Sequence, residues 1–386
     1  MVTHTEVIVI GGGLIGACCA EALTRRDLEV VLLERRFPAS GSSRACDGLI
    51  LLWDKSPGAE LELGKASVAL WEVLAPQLET DIEFRKTGTL LINDDISGIE
   101  RSRKMAERLV DHDIRAIILD PDELGELEPS LAGDLAGGVY YPDDYQLDPR
   151  RATLAILRKA QRQGLHLAQG EEVLGLERRA GTSTGWRIST REHIFTADHV
   201  VCAAGVWSRE LLDAIGAQIP VRPRQGHILV LKPAPDTLRH PVLEGSYEAT
   251  VHAGGGDLQV ALVAEQTASG TLLIGSSRQF TGFDTGVSWE VMQTLARRAI
   301  RFIPGLQNAA LIRSYAGLRP WSPDNLPLIG AVPGYDDLHI ASGHEGAGIC
   351  LAPVTGQLIA DWVSGDELPE FARDVDPARF SAETAT

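Results

Sequence analysis

Val7-Ile8-Val9-Ile10-Gly11-Gly12-Gly13-Leu14-Ile15-Gly16-Ala17 decides the fold of this chain. Its first four residues are a β-branched run, the pattern of a strand buried on both faces. The glycines give way to a helix that opens at Leu14 and carries Ala20 and Leu23 on one face. Leu28 to Leu33 reads as a second buried strand. Strand, helix and strand within about 30 residues make a βαβ unit with parallel strands and a right-handed crossover.

Gly11, Gly13 and Gly16 form G-x-G-x-x-G at the strand-to-helix junction, the context that gives this motif meaning. Gly11 permits the tight turn, Gly13 lets the backbone approach a pyrophosphate, and Gly16 allows close helix–strand packing. The helix N-terminus then faces the negative charge. Glu34 ends the second strand, where a carboxylate accepts hydrogen bonds from ribose hydroxyls and repels a 2′-phosphate. A dinucleotide site follows. There is no second such fingerprint; Gly254-Gly255-Gly256 leads into a β-like run and reads as a hairpin turn.

Further along, Thr87–Ile92, His227–Val230, Leu258–Val263 and Thr271–Ile274 read as strands without long helices between them, which suggests antiparallel pairing in a second domain. Helices near Pro149–Gln163 and Glu210–Ile215 and a strand at His199–Cys202 look like returns to the first domain. The last third holds His339-Ile340-Ala341, a glycine-rich turn, and a helix from about Ala347 to Val363. The tail after Glu367 is polar and is expected to be loosely held.

At 386 residues two domains are expected. The formal net charge of −17 argues against a nucleic-acid partner, and Arg222 and Arg224 form only an isolated basic cluster. Cys18, Cys19, Cys46, Cys202 and Cys350 include no C-x-x-C pair, so zinc and iron–sulfur sites lack their usual ligand spacing and no metal is expected. They read as reduced, buried thiols. The N-terminal residues run straight into a strand and no stretch approaches 18 apolar residues, so no transmembrane segment and a cytoplasmic location are expected.

Four segments together resemble the D-amino-acid-oxidase-like family of FAD enzymes over essentially the whole chain. They are the fingerprint with Glu34; Ser42-Ser43-Arg44-Ala45-Cys46-Asp47-Gly48; Val201-Cys202-Ala203-Ala204-Gly205-Val206-Trp207, where Cys202 replaces the family's usual Asn; and Gly317-Leu318-Arg319-Pro320 with Pro323-Asp324, Pro327-Leu328-Ile329-Gly330 and Gly343-His344-Glu345-Gly346-Ala347-Gly348-Ile349. Within the family the chain looks most similar to glycine oxidase, to a component of hydrogen cyanide synthase and to the flavin subunits of opine oxidases and D-hydroxyproline dehydrogenases. The resemblance implies an α/β fold: a discontinuous Rossmann-like FAD-binding domain over 1–84, 147–222 and 317–386, and an antiparallel-sheet α+β substrate domain over 85–146 and 223–316. It implies non-covalent FAD, since no cysteine lies between Cys202 and Cys350, where relatives tether the flavin. The FAD contacts it implies come from Gly11, Gly13, Leu14, Ile15, Gly16, Glu34, Arg35, Ser42, Ser43, Arg44, Ala45, Val173, Ala204, Gly205, Trp207, Gly346, Ala347, Gly348 and Ile349.

Oxidising an amino acid requires an anchored carboxylate, an α-hydrogen facing the flavin, and stabilisation of charge on the reduced flavin. Arg319 matches the family's carboxylate-binding arginine, and its planar fork suits bidentate pairing. The turn Gly346-Ala347-Gly348, at the expected helix start, offers free N–H groups to developing negative charge, and glycine there suits close approach or a positive φ. His344 is a candidate participant or a packed histidine; Tyr247 is a candidate substrate contact or a core aromatic. Trp53, Asp54 and Lys55 are expected to pack at the domain junction. Glu345 and Gly346 replace a Phe-Arg pair of glycine oxidase, which removes a cation, adds an anion and favours a substrate with a positive or donor group. The expected role is the catalytic subunit of a heteromeric dehydrogenase acting on a small amino acid or N-substituted amino acid, with a partner that carries a further redox centre. A stand-alone oxidase and a non-catalytic FAD relay are the alternatives.

Overall fold

The strand Val2–Ile10 lies inside an eight-stranded sheet, between Val30–Glu34 and Ile194–Cys202, and pairs parallel with both. His166–Gln169 extends the sheet beyond Val30–Glu34, again parallel. The far edge of Ile194–Cys202 is shared. Its first half pairs antiparallel with Trp186–Ser189, and its last three residues pair parallel with Tyr335–Ser342. The computed structural model describes residues 2–179, 184–232, 237–252 and 257–380. The expected turn at Gly254-Gly255-Gly256 lies outside them.

Alternation along the first strand divides the core. Val7 and Val9 face one cluster with the helices Leu14–Thr24, Pro149–Arg162 and Ala352–Ser364; Ile8 and Ile10 face another with Ile188, Phe195 and Leu212. Period-2 alternation with both faces covered is what a continuous apolar run encodes. Pro149–Arg162 starts where expected because Asp148 caps it, accepting from the amides of Arg150 and Arg151 at 2.8 and 3.1 Å.

A second eight-stranded sheet runs in the order Leu311–Trp321, Arg222–Leu231, Leu272–Arg278, Gln259–Gln266, Val242–Glu244, Thr89–Asn93, Gly137–Tyr141 and Ile117–Leu119. The four expected strands are here; three are longer than read, and the first is Thr89–Asn93, which starts two residues later than expected. The pairing is antiparallel throughout except between Val242–Glu244 and Thr89–Asn93, which run parallel. This exception escaped the sequence reading because a three-residue strand carries no periodicity. The longest ladder, Arg222–Leu231 against Leu311–Trp321, sets Arg224 directly opposite Arg319.

Three expectations change. The last long helix starts at Ala352, and a run of turns covers Glu345 to Leu351. Pro353 fixes that start: its ring suits the first turn and no earlier interior position. The tail is held as far as Phe380, since Ala372 and Val375 are buried and Arg379 pairs with Asp324 at 2.7 Å. Arg224 is no surface cation but a buried one.

Candidate active site

The turn between the first strand and the first helix packs to its steric limit. A methyl group on Gly16 would lie 1.9 Å from the Gly11 carbonyl oxygen, and one on Gly11 would lie 2.5 Å from that of Ala203. Gly11 has φ of 113°, a conformation natural only to glycine. Glu34 is held by its own turn: it accepts from the amide of Gly12 through Oε2 and from that of Arg36 through Oε1, both at 2.8 Å. Ser43 Oγ accepts from the Leu14 amide at 2.9 Å, which ties the Ser42–Arg44 turn to the helix N-terminus. Ser42 Oγ donates to the Leu318 carbonyl at 2.6 Å, so the same loop reaches the strand that carries Arg319.

These segments wall one cavity of about 460 Å³. Gly11, Gly13, Leu14, Ile15, Glu34, Arg35, Ser42, Ser43, Ala45, Val173, Ala204, Gly205 and Trp207 line it, as do Gly346, Gly348 and Ile349; Gly16 packs just behind Gly11. Arg35 lays its guanidinium 3.7 Å over the Trp207 ring, which closes one rim. Arg44 and Ala347 do not line the cavity. Arg44 is exposed and reaches toward Phe37, while Ala347 packs on the helical core. Each sits between two lining residues, and in so tight a turn the middle residue points away.

The donor set suits a dinucleotide. The first-turn amides of Ile15 and Gly16 have no acceptor among the described residues, and neither do those of Gly348 and Ile349. Two groups of free N–H donors thus lie at or just behind the wall of one cavity. The second group lies in turns rather than at a helix start, and the left-handed residues beside it are Gly343 and Glu345, with φ of 81° and 45°. Neither Gly346 nor Gly348 has positive φ; their missing side chains simply leave the wall open.

Arg319, Tyr247, His344 and Glu345 meet in the same cavity, with Asp47 and Cys46. Arg319 Nη1 donates to the Ser277 carbonyl at 2.9 Å, which fixes the plane of the fork. Gly226 makes this possible, because a methyl group there would lie 2.1 Å from Nη1. Arg319 Nη2 has no partner among the described residues. His344 is buried and its Nε2 sits 2.9 Å from Thr355 Oγ1; burial pulls its pKa down to about 3, so the ring is neutral. It is packed and hydrogen-bonded, and it also lines the cavity. Trp53 packs as expected, donating to Thr89 Oγ1 at 3.1 Å and stacking on Tyr141.

Sequence reading missed Arg278 and misjudged Glu345. Arg278 is buried, with Nε 3.2 Å from Glu345 Oε1, Nη1 donating to Thr250 Oγ1 at 2.9 Å and Nη2 to the Tyr247 hydroxyl at 3.1 Å. Arg224 Nη1 lies 3.4 Å from the same carboxylate oxygen, and Arg319 Nε 4.0 Å from it. Burial opposes the charge of Glu345, yet Arg278, Arg319 and Arg224 together hold its carboxyl below the usual range. Glu345 is therefore the hub of three guanidiniums and not a free anion, which removes the reason to favour a cationic substrate. Arg224 and Arg319 stand opposite each other across the ladder, an arrangement that repels unless an anion lies between them. The adjacency of 224, 278, 319 and 345 exists only in three dimensions.

Among the described residues no set of three His, Cys, Asp or Glu side chains converges to hold a metal, no helix is long and apolar enough to cross a membrane, and the five cysteines are unpaired.

Comparison with known proteins agrees with this geometry. Glycine oxidase of Pseudomonas aeruginosa is 31% identical over 97% of this chain and 98% of its own. Hydrogen cyanide synthase subunit HcnC of the same organism is 29% identical over 98% and 97%. The crystal structure of glycine oxidase from Geobacillus kaustophilus superposes with a TM-score of 0.89 at 27% identity, covering 98% of this chain and 99% of the other. That of L-proline dehydrogenase from P. horikoshii gives 0.87 at 25%, covering 99% of each. The FAD-dependent oxidoreductase profile, DAO, matches residues 6–362, nearly the full described length, and with the glycine turn, the Glu34 latch and the paired donor groups it establishes that the chain belongs to the DAO family of FAD-dependent oxidoreductases.

Proposed function

We propose that this flavoprotein dehydrogenates the C–N bond of a small amino acid or N-substituted amino acid — a D-hydroxyproline, an opine or a glycine-like compound — as the catalytic subunit of a heteromeric dehydrogenase. The observation that carries the reading is Arg319: a guanidinium fixed on one nitrogen, open on another, at the wall of the FAD cavity. Such a fork binds a carboxylate bidentately. Glycine oxidase and L-proline dehydrogenase among the similar proteins bear names of this substrate class, and HcnC is named as a subunit. The division into an FAD-binding part (1–84, 147–222, 317–386) and a substrate part (85–146, 223–316) belongs to the same proposal.

In this reading Glu34 would accept from the adenosine ribose, and the amides of Ile15 and Gly16 would hold the pyrophosphate. The amides of Gly348 and Ile349 would hold the flavin's pyrimidine edge, where they would favour negative charge. FAD supplies a two-electron acceptor. Arg319 fixes the substrate carboxylate, and Tyr247, held by Arg278, bounds the other side. The neutral His344 keeps the turn in place through Thr355. The test is anaerobic bleaching of the bound flavin by a panel of D-amino acids, N-alkyl amino acids and opines. A panel that leaves the flavin oxidised overturns the reading.

Two further outcomes are expected. Acid precipitation should release all the yellow chromophore as FAD, whereas flavin that stays with the pellet would mean a covalent link. Turnover with an artificial dye should exceed turnover with oxygen, and co-expression with a partner should raise it further. No second redox group is encoded in the spacing of the cysteines, so electrons leave to oxygen or to another protein. Fast peroxide formation by the isolated chain, unchanged by dye or partner, would favour the stand-alone oxidase.

A further inference from the structure

Asp47 lines the cavity on the loop that follows Ser42–Arg44 and lies in the electrostatic field of Arg319 and Arg278. All three ion pairs of the arginine cluster end on Glu345, and among the described residues none ends on Asp47. A methyl group on Gly317, two residues before Arg319, would lie 2.6 Å from Ala45 Cβ, so this loop presses against the strand that carries the anchor. Just behind, Glu265 Oε2 accepts from the Gly48 amide at 2.9 Å, and Glu265 Oε1 accepts from Gln146 Nε2 at 2.8 Å. The loop is therefore fixed on both sides of Asp47. A carboxylate without a directly paired cation, fixed at the wall of a cavity that also holds an open guanidinium, is the complement of a zwitterion.

We propose that Asp47 is the catalytic group that receives the substrate's amino nitrogen and takes its proton, so that the cationic amine becomes the free amine that can be oxidised. The inference rests on the amine-oxidising reading above and adds to it the protonation state of the substrate. The step balances. The N–H bond breaks and an O–H bond forms on Asp47. The α-carbon then gives up hydride to the flavin as the nitrogen lone pair closes the C=N bond. Flavin is reduced by two electrons and the substrate is oxidised to an iminium species that water can hydrolyse. Without the first step the nitrogen has no lone pair to give.

The surroundings suit this role. Burial raises the pKa of Asp47, and Arg319 and Arg278 oppose that rise. The other titratable groups whose charges reach it are Cys46 on its own loop, Tyr247 on the Tyr247–His252 helix, Glu265 on the Gln259–Gln266 strand and Tyr315 on the Leu311–Trp321 strand. Burial raises the pKa of each of these four, so near neutral pH they are held largely uncharged and set little negative charge against Asp47. A base works best when its pKa is moved toward the working pH, which is the direction found here.

Two measurements on the FAD-loaded protein test the proposal. In the first, flavin reduction by the best substrate of the panel is followed anaerobically across pH. Wild type should accept the ammonium form, with a flat apparent second-order rate constant below the substrate's amine pKa. Asp47→Asn should require the free amine, so its rate constant should fall about tenfold per pH unit below that pKa and approach wild type above it. Asp47→Glu should recover part of the flat profile. In the second, pyrrole-2-carboxylate, a carboxylate with no basic nitrogen, is titrated by its effect on the flavin spectrum. It should bind Asp47→Asn as tightly as wild type or more tightly, because an anion has been removed. A distorted loop would weaken it instead. Parallel pH profiles for wild type and Asp47→Asn, or lost pyrrole-2-carboxylate binding with normal FAD content, would overturn the proposal while leaving amine oxidation intact. Failure of every amine to reduce wild type would overturn both readings.

Discussion

Arg319→Lys should cut the substrate affinity and the flavin-reduction efficiency by roughly thirty-fold to several thousand-fold, about 2–5 kcal/mol, while FAD stays bound. The wild-type fork is already aligned by Ser277 and has room only because residue 226 is glycine. Lysine keeps the charge but presents a single ammonium on a flexible stem, so bidentate geometry is lost. Anaerobic stopped-flow reduction gives both quantities. An unchanged dissociation constant and limiting rate would mean that Arg319 is not the anchor.

Glu345→Gln should have the largest effect on stability. Three guanidiniums surround this carboxylate, and two of them, from Arg224 and Arg278, are buried. Removing one partner of a buried pair costs about 3–5 kcal/mol, because the remaining charge is uncompensated. Here the remainder is three like charges, two of them cross-strand neighbours. Urea unfolding at saturating FAD should show the loss, and a midpoint equal to wild type would sink the idea. The sign with pH follows from the depressed pKa of Glu345. Its stabilisation is complete above the ordinary glutamate range, near pH 4.3, and fades as pH falls through the lower folded value. The variant should therefore lose part of its disadvantage in acid.

What the sequence revealed of this molecule was what local chemistry dictates. The apolar run from Val7 to Ile10, the glycine spacing and Glu34 each constrain the backbone within a few residues, and the turn they imply is present with its hydrogen bonds. Pro149–Arg162 was legible because proline and an aspartate cap mark its start. The start of the last helix was misplaced because Gly346-Ala347-Gly348 resembles a helix entrance, while Pro353 sets the actual one. Arg278 escaped because it ends a strand of small and apolar residues, where an arginine reads as an exposed terminus; burial and Glu345, 67 residues away, give it its role. Arg224 was visible only as a basic spot on an acidic chain, since its partner lies 121 residues on.

The cavity wall draws on stretches near residues 11, 34, 43, 173, 204, 318 and 346, so no single stretch can hold the ligand before the others have assembled. The dinucleotide therefore acts as a non-peptide part of the core, bound by the native state and not by the unfolded chain. By mass action each tenfold rise in free FAD above its dissociation constant adds about 1.4 kcal/mol to the apparent stability. Flavin supply should then set how much of this chain survives as well as how fast it turns over: under scarcity the flavin-free form should open more often and be cut sooner by a protease.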